Sequence, residues 1–309
     1  MTNADLEKMV DTSDEWIMSR TGIRERRIAD EGEFTSDMGA RAAEQALKQG
    51  GIDPMSIDLI IVATCTPDTI FPSTACHIQA KIGATRAAAF DMQAACSGFL
   101  YALVTATQFI AAGAYETILV VGAEKLSSIV NWQDRNTCVL FGDGAGAVIL
   151  KHRPGARGLL SFDLGADGRQ TEILSLPAGG CRVPITPQVL QDRSYFLQMS
   201  GKEVYRYAVS AMNRSAEDCL EKAGIKPRDL RWIIPHQANY RIIEAVAQRL
   251  NVDMQHFFVN LDRYGNTSAA CMPICLHELN EAGNLKQGDL LLMVGFGGGL
   301  TWAGAILEW

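Results

Sequence analysis

The sequence predicts an α/β protein built from two homologous halves, and three observations carry that prediction. First, the chain repeats itself. Ala43-Glu44-Gln45-Ala46-Leu47 and Gly51-Ile52-Asp53-Pro54 align with Ala216-Glu217-Asp218-Cys219-Leu220 and Gly224-Ile225-Lys226-Pro227. The spacing of 173 residues persists, placing Ile60-Ile61 on Ile233-Ile234 and Val121-Gly122 on Val294-Gly295. A constant offset over so long a stretch marks an internal repeat. Second, helical and strand patterns alternate through each half. Third, the strands are continuous apolar runs, as in sheets covered on both faces by helical crossovers. The halves are residues 1–155 and 156–309, joined where Pro154 and Gly155 break the pattern.

In the first half, residues 35–49 read as a helix with Met38, Ala42, Ala46 and Leu47 on one face. There follow a strand at 58–65, a helix at 73–82, a strand at 87–93, a helix at 98–111, and strands at 117–124 and 145–151. The second half opens with a strand at 158–164. It continues through a helix at 199–223, a strand at 232–235, a helix at 239–250, a strand at 257–261, a helix at 267–282, and strands at 289–295 and 302–308. Ahead of the repeat lie two short helices, with Thr12 and Glu15 spaced as a capping box. The strand at 158–164 has no counterpart, because 173 residues earlier falls before Met1. The first half is therefore expected to lack its opening strand.

A chain of 309 residues with 48% hydrophobic content has ample core-forming material. Its net charge of −7 argues against non-specific binding to nucleic acid. No apolar run approaches the roughly 20 residues that a membrane helix needs, and the acidic start, with Asp5, Glu7, Asp11, Asp14 and Glu15, is unlike a signal peptide. The eight cysteines have no C-x-x-C pair and no regular spacing, which fits reduced thiols in a cytoplasmic compartment. Cys271 and Cys275 are one helical turn apart, but neither His256 nor His277 completes a zinc pattern, so no metal is expected.

Three segments carry chemistry. Cys96 follows the apolar run 87–90 and precedes the helix at 98–111, so its thiol falls at a helix N-terminus. Unpaired amides and the dipole there favour a thiolate and are expected to lower its pKa. A small buried cysteine is the plainer reading. His236 follows directly on the end of an apolar strand, where α/β folds place ligands. A satisfied core histidine would look the same. Asn266 lies at a turn just before a helix, where it is also an ordinary N-cap. On the 173-residue offset Cys96 matches Ala269, so Asn266 lies in the region equivalent to the nucleophile's, while His236 matches Ala63 at the corresponding strand end. Two-fold related halves bring such loops together. Gly142-Asp143-Gly144-Ala145-Gly146 and Gly297-Gly298-Gly299 do not open helices, so neither is a dinucleotide-binding turn. Glycine after Phe296 instead allows close backbone approach and an oxyanion-binding N–H. Arg20, Arg24, Arg26 and Arg27 are either a solvated basic face or a site for a phosphate-rich ligand.

These pieces resemble the β-ketoacyl-acyl-carrier-protein synthase III family, the initiating condensing enzymes of type II fatty acid synthesis. The resemblance rests on Asp14-Glu15-Trp16-Ile17, Arg20-Thr21-Gly22-Ile23-Arg24, Ala95-Cys96-Ser97-Gly98-Phe99, Phe141-Gly142-Asp143-Gly144-Ala145, His236-Gln237-Ala238-Asn239, Gly265-Asn266-Thr267-Ser268 and Gly295-Phe296-Gly297-Gly298-Gly299, in order over nearly the whole chain. It implies a thiolase-like fold of five α-β-α-β-α layers with two pseudo-symmetric halves, in a homodimer. It implies that Cys96 takes an acyl group from acyl-CoA, that His236 and Asn266 stabilise the enolate formed from malonyl-acyl carrier protein, and that the N–H groups of Cys96 and Gly298 form an oxyanion hole. Phe296 would keep the carboxylate's surroundings dry. Trp16 and Arg135 would sandwich the CoA adenine, Arg20 and Thr21 would touch its phosphates or pantetheine, and Asn239 would line the pantetheine tunnel. Phe71 would floor the partner's acyl pocket, with an acetyl-sized primer implied. Arg206, Arg241 and Arg249 would dock the acidic carrier protein. No cofactor beyond these substrates is implied.

The family begins with a strand ahead of the segment Asn3-Ala4-Asp5-Leu6, so the resemblance and the repeat point to the same gap. A misassigned start, other segments filling the space, or reduced stability would account for it. Rival readings are a related Cys-His-Asn condensing enzyme for alkylquinolones, polyketide starters or long chains, a cysteine thioesterase, and a non-catalytic binding subunit. Thiolase itself needs a second cysteine near the glycine end, and residues 290–301 have none.

Overall fold

The computed structural model describes residues 1–309. Its helices are α1 (Asn3–Leu6), α2 (Asp14–Thr21), α3 (Thr35–Gly50), α4 (Thr74–Lys81), α5 (Gly98–Ala111), α6 (Arg135–Cys138), α7 (Pro187–Asp192), α8 (Gly201–Ala223), α9 (Tyr240–Leu250), α10 (Leu261–Tyr264) and α11 (Cys271–Glu281). The strands are β1 (Leu59–Ala63), β2 (Ala88–Met92), β3 (Thr117–Glu124), β4 (Gly144–Lys151), β5 (Leu159–Ala166), β6 (Leu174–Ser175), β7 (Gln198–Met199), β8 (Trp232–Pro235), β9 (Leu290–Gly297) and β10 (Thr301–Glu308).

Two four-stranded sheets form, in the orders β2-β1-β3-β4 and β5-β10-β9-β8. β1 pairs parallel with β3 and β8 pairs parallel with β9, and in each sheet the next strand, β4 or β10, runs antiparallel. The strands are apolar on both sides because both sides are covered. In β1, Leu59, Ile61 and Ala63 face the layer between the sheets, whereas Ile60 and Val62 face α3 and α4. In β9, Leu291 and Met293 face the central layer, and Leu292, Val294 and Phe296 face the outer layer that contains α8 and α9. α5 packs on β1 and β3 of one sheet and on β5, β9 and β10 of the other, with α11 beside it against β3, β4 and β8. The result is the five-layer, thiolase-like α-β-α-β-α arrangement with pseudo-two-fold symmetry.

β5 covers the outer edge of β10, but no strand lies on the outer edge of β4. A groove of about 370 Å³ runs there between α3 and α11, lined in part by Ala42, Ala46, Gly144, Ala147 and Ile274. No other segment of the chain fills that space.

The structure corrects several sequence expectations. The expected strand at 257–261 is a single bridge between Phe257 and Ile233, because Leu261 already begins α10. The helix expected at 267–282 starts as a 3-10 turn at Ser268–Ala270 and becomes α-helical at Cys271. α2 is capped by Ser13, whose hydroxyl accepts from Trp16 N, so Thr12 is not the cap. Arg26 fits neither reading of the arginine cluster. It is fully buried and donates to Asn3 Oδ1 and Val139 O at 2.9 Å each, tying the N-terminal helices to the first half. Residues 165–199 lack clear periodicity, yet they form α7 and the small β6-β7 pair.

Candidate active site

Cys96 sits in the 3-10 turn Ala95–Ser97 that leads from β2 into α5, and its side chain is buried. Ala95 takes a left-handed conformation, φ 46°, to make that turn. Gly297 of β9 comes so close that a Cβ there would lie 2.6 Å from Cys96 N, which is why the second half offers glycine at this point. The expected fall in thiol pKa is not found. Burial pushes the thiol up to about 12, outweighing the Ser268 hydroxyl and the thiol's own backbone N–H, which pull it down; the carboxylate of Glu124 pushes it up further. The helix terminus is present, but loss of hydration on burial dominates.

His236 stands at the end of β8, its N–H bonded to Val294 O at 2.8 Å. Its Nδ1 meets Cys271 Sγ at 3.1 Å, and Nε2 has no protein partner. Burial lowers its pKa to about 4, so the ring is neutral at physiological pH. Asn266 is pinned to the first half by two backbone bonds, Asn266 N to Leu140 O and Gly142 N to Asn266 O. A Cβ on Gly142 would lie 2.3 Å from Tyr264 O, so this glycine serves close approach of the Asn266 loop. Asn266 Oδ1 accepts from Ser268 N at 2.9 Å, which leaves its amide N–H groups free. The N-cap of the 3-10 turn is Thr267, so the capping reading of Asn266 is not realised; its oxygen instead closes a local turn onto Ser268 N. Cys96, His236, Asn266 and Phe296 all line one cavity of about 950 Å³, within the usual range for a small-molecule site. The N–H groups of Cys96 and Gly298 donate to no other backbone group.

Residues 90–168 and 220–309 match the families described as 3-oxoacyl-acyl-carrier-protein (ACP) synthase III and its C-terminal part. A β-ketoacyl-acyl-carrier-protein synthase III from a Roseiflexus species is 53% identical over 309 residues, which is 100% of this chain and 94% of the relative. The chain belongs to the β-ketoacyl-acyl-carrier-protein synthase III family. The crystal structure of 3-oxoacyl-acyl-carrier-protein synthase III from Aquifex aeolicus has a TM-score of 0.93 at 48% identity, covering 100% of this chain and 95% of that one. A priming β-ketosynthase of a polyketide pathway has a TM-score of 0.92 at 37% identity, covering 100% of this chain and 92% of that one.

The outer residues implied by resemblance to the synthase III family occupy varied places. Trp16, Arg20, Thr21, Asn239 and Arg241 line the cavity, with Lys202. Arg20 lies 4.9 Å and Arg135 5.3 Å from the Trp16 ring centre. Two stacking contacts need about 7 Å, so no flat ring fits between Trp16 and Arg135 as placed. Arg135 is held there by Asp11 O at 2.7 Å and must swing away first. The Thr21 hydroxyl is engaged within the chain, donating to Ile17 O and accepting from Ile23 N. The Asn239 amide caps α9 and donates to Arg20 O. Both residues can therefore shape the tunnel without offering a free polar group. Arg206 and Arg249 are exposed on α8 and α9. Phe71 lies outside the cavity, 85% exposed, as is Ile70.

Sequence reasoning missed four groups at the synthase site. Cys271 is weighed there only as a zinc ligand, and 35 residues separate it from His236. Ser268 abuts Cys96 and Glu124. Glu124, fully buried at the end of β3, accepts from Thr64, Cys65 and Thr66. Leu174 and Met199, from the unpatterned segment, line the cavity. An acidic residue ending an apolar strand was a readable signal for Glu124; the others have none.

Proposed function

We propose that the protein initiates fatty acid synthesis by joining a short acyl group from acyl-CoA to malonyl-acyl carrier protein, with loss of carbon dioxide. The Cys96 sulfur attacks the acyl-CoA carbonyl, CoA leaves as its thiol with the Cys96 proton, and an acyl thioester remains on Cys96. The malonyl thioester then enters with its carbonyl oxygen against His236 and Asn266. Its carboxylate departs as carbon dioxide, Phe296 keeping water from it, and the electrons form an enolate. The enolate carbon attacks the acyl-Cys96 carbonyl, whose oxygen takes the negative charge beside the Cys96 and Gly298 N–H groups. Collapse expels the Cys96 thiolate, which regains a proton, and releases 3-oxoacyl-acyl carrier protein.

One observation carries the reading. Two polar groups that share the cavity with Cys96 are a neutral imidazole and an amide whose oxygen is already taken by Ser268 N. An enolate oxygen needs donors rather than a base. A thioesterase would need the histidine paired with a carboxylate or amide to activate water, and His236 meets Cys271 instead. Relatives named as synthase III reach 48–54% identity, above the 37% of the polyketide-pathway ketosynthase, and this favours fatty acid priming over the secondary-metabolic alternative.

The CoA adenine stacks on Trp16 after Arg135 swings out, and its phosphates meet Arg20. The carrier protein docks on Arg206, Arg241 and Arg249 near the mouth. The protein works as a homodimer in which Phe71 floors the partner's acyl pocket, a role that its exposure in the single chain supports. Intact-mass spectrometry after incubation with a panel of acyl-CoAs, then with malonyl-acyl carrier protein, tests the reading. Cys96→Ala should take up no acyl group, and His236→Ala should acylate normally but release no carbon dioxide. Equal loss of both half-reactions in folded His236→Ala would overturn the division of roles.

A further inference from the structure

We infer that Cys271 is a positioning residue for the condensation: its S–H donates to His236 Nδ1 and holds the imidazole in the tautomer that presents Nε2–H to the cavity. This rests on the proposed role of His236 and goes beyond it, because a neutral histidine serves an enolate only in one of its two tautomers. With Nδ1 protonated, Nε2 would turn a lone pair toward the developing negative charge and repel it.

The surroundings decide which nitrogen carries the proton. Cys271 Sγ lies 3.1 Å from Nδ1, and Nδ1 has no other protein partner. The sulfur, a weak acceptor, already receives Gln237 N at 3.5 Å, and its own hydrogen is free to point to the ring. A thiolate–imidazolium pair is disfavoured, since burial pushes the thiol up to about 12 and the imidazole down to about 4. Of the two neutral arrangements, an S–H donating to a bare Nδ1 is the one that spares the weakly accepting sulfur a second donor. The geometry is fixed from both sides. Cys271 opens α11, where the chain enters the helix from the Ser268–Ala270 turn, and His236 N is tied to Val294 O in the sheet. The residue that orients the histidine is therefore carried by the same turn that carries Asn266.

The test combines a direct reading of the tautomer with the two half-reactions. In the wild-type protein with isotope-labelled histidine, ring-nitrogen NMR should show His236 with Nε2 protonated and Nδ1 bare. Cys271→Ala should mix the tautomers and cut carbon dioxide release from malonyl-acyl carrier protein by at least about tenfold, leaving acylation of Cys96 by acyl-CoA within about twofold. Cys271→Ser, which keeps a donor, should restore both the single tautomer and most of the decarboxylation. A bare Nε2 in the wild type overturns the inference together with the donor role of His236, whereas a Cys271→Ala protein with tautomer and decarboxylation unchanged overturns the inference alone. Equal loss of both half-reactions in Cys271→Ala and Cys271→Ser also overturns it, since that is the behaviour of a packing residue.

Discussion

Ala95 and Ser268 lie 173 residues apart and share one left-handed backbone conformation, with φ of 46° and 49°. Neither is glycine, so each turn costs about 1–3 kcal/mol of backbone strain, held in place by what surrounds it. The same turn launches both central helices, and the two halves use it differently. In the first it presents the Cys96 sulfur, and in the second it presents Asn266 two residues earlier, with Ser268 N bonded to Asn266 Oδ1. Duplication supplied two equivalent corners, and the site lies where they meet.

Each corner presses on a glycine of the opposite sheet, which sets up a contrast in stability. A Cβ on Gly122 would lie 2.3 Å from Ala269 O, a backbone atom, whereas on Gly295 it would meet the flexible Met272 Cε at 2.9 Å. Gly122→Ala should cost about 1–3 kcal/mol or more, a drop of several degrees in Tm for a chain of this size. Gly295→Ala should cost less, because the methionine end can move. Thermal denaturation followed by circular dichroism checks this, and equal shifts would contradict it.

Much of this was readable in the sequence, for a physical reason. The 173-residue offset survives in Gly51, Ile52 and Pro54 and in Val121-Gly122 because caps and close approaches tolerate few residue types. β1, β3, β8 and β9 were readable because burial on both faces leaves them apolar, save for Thr117 and Glu124 at the two ends of β3. Cys96, His236 and Asn266 stood out because each sits at a strand or helix end, and the fold brings them to one cavity. The left-handed Ala95 and Ser268 were not readable, since their strain is imposed by tertiary contact and leaves no mark on residue type. The burial of Arg26 and the raised pKa of Cys96 were missed for a related reason. Both depend on how much water the finished fold removes, which local spacing does not encode.

Trp16 is expected to act in binding rather than in chemistry, because it lines the cavity with an aromatic face and takes part in none of the proposed bond-making steps. Stacking of a base on an aromatic ring is worth about 1–3 kcal/mol. Trp16→Ala should therefore raise KM for acyl-CoA by about tenfold or more while kcat changes little. Asp11→Ala, which removes the carboxylate 3.3 Å from Arg135, should ease the swing of Arg135 and lower KM modestly. Steady-state kinetics with varied acyl-CoA checks both, and a fall in kcat for Trp16→Ala at saturating substrate would argue against a binding role.

The neutral His236 has consequences for pH. Its folded-state pKa of about 4 lies below the ordinary 6.5, so between those values only the unfolded chain takes up the proton. Stability is unaffected above about 6.5, falls as pH drops toward 4, and loses nothing further from this group below that. Denaturant titrations of wild type and His236→Gln should differ in slope against pH only within that window. Decarboxylation should show no inflection near pH 6.5, and an inflection there would mean that the ring titrates as an exposed histidine does.

Asn266→Asp separates shape from charge at the enolate site. Aspartate keeps the size of asparagine and an oxygen able to accept from Ser268 N, so the turn and the backbone bonds to Leu140 and Gly142 should survive. The amide N–H groups are replaced by a second carboxylate oxygen, which offers no hydrogen and repels the developing negative charge. Loss of one such donor typically costs about 10²–10³ in rate, and the added repulsion makes that a lower bound for carbon dioxide release. On the proposed mechanism, transfer of the acyl group to Cys96 passes through an oxyanion served by other N–H groups, so it should stay within a few-fold of wild type. Labelled acyl-CoA measures the first half-reaction and carbon dioxide evolution the second. If both fall together while the melting temperature holds, Asn266 supports the nucleophile as well as the enolate, and the separation of the two half-reactions fails.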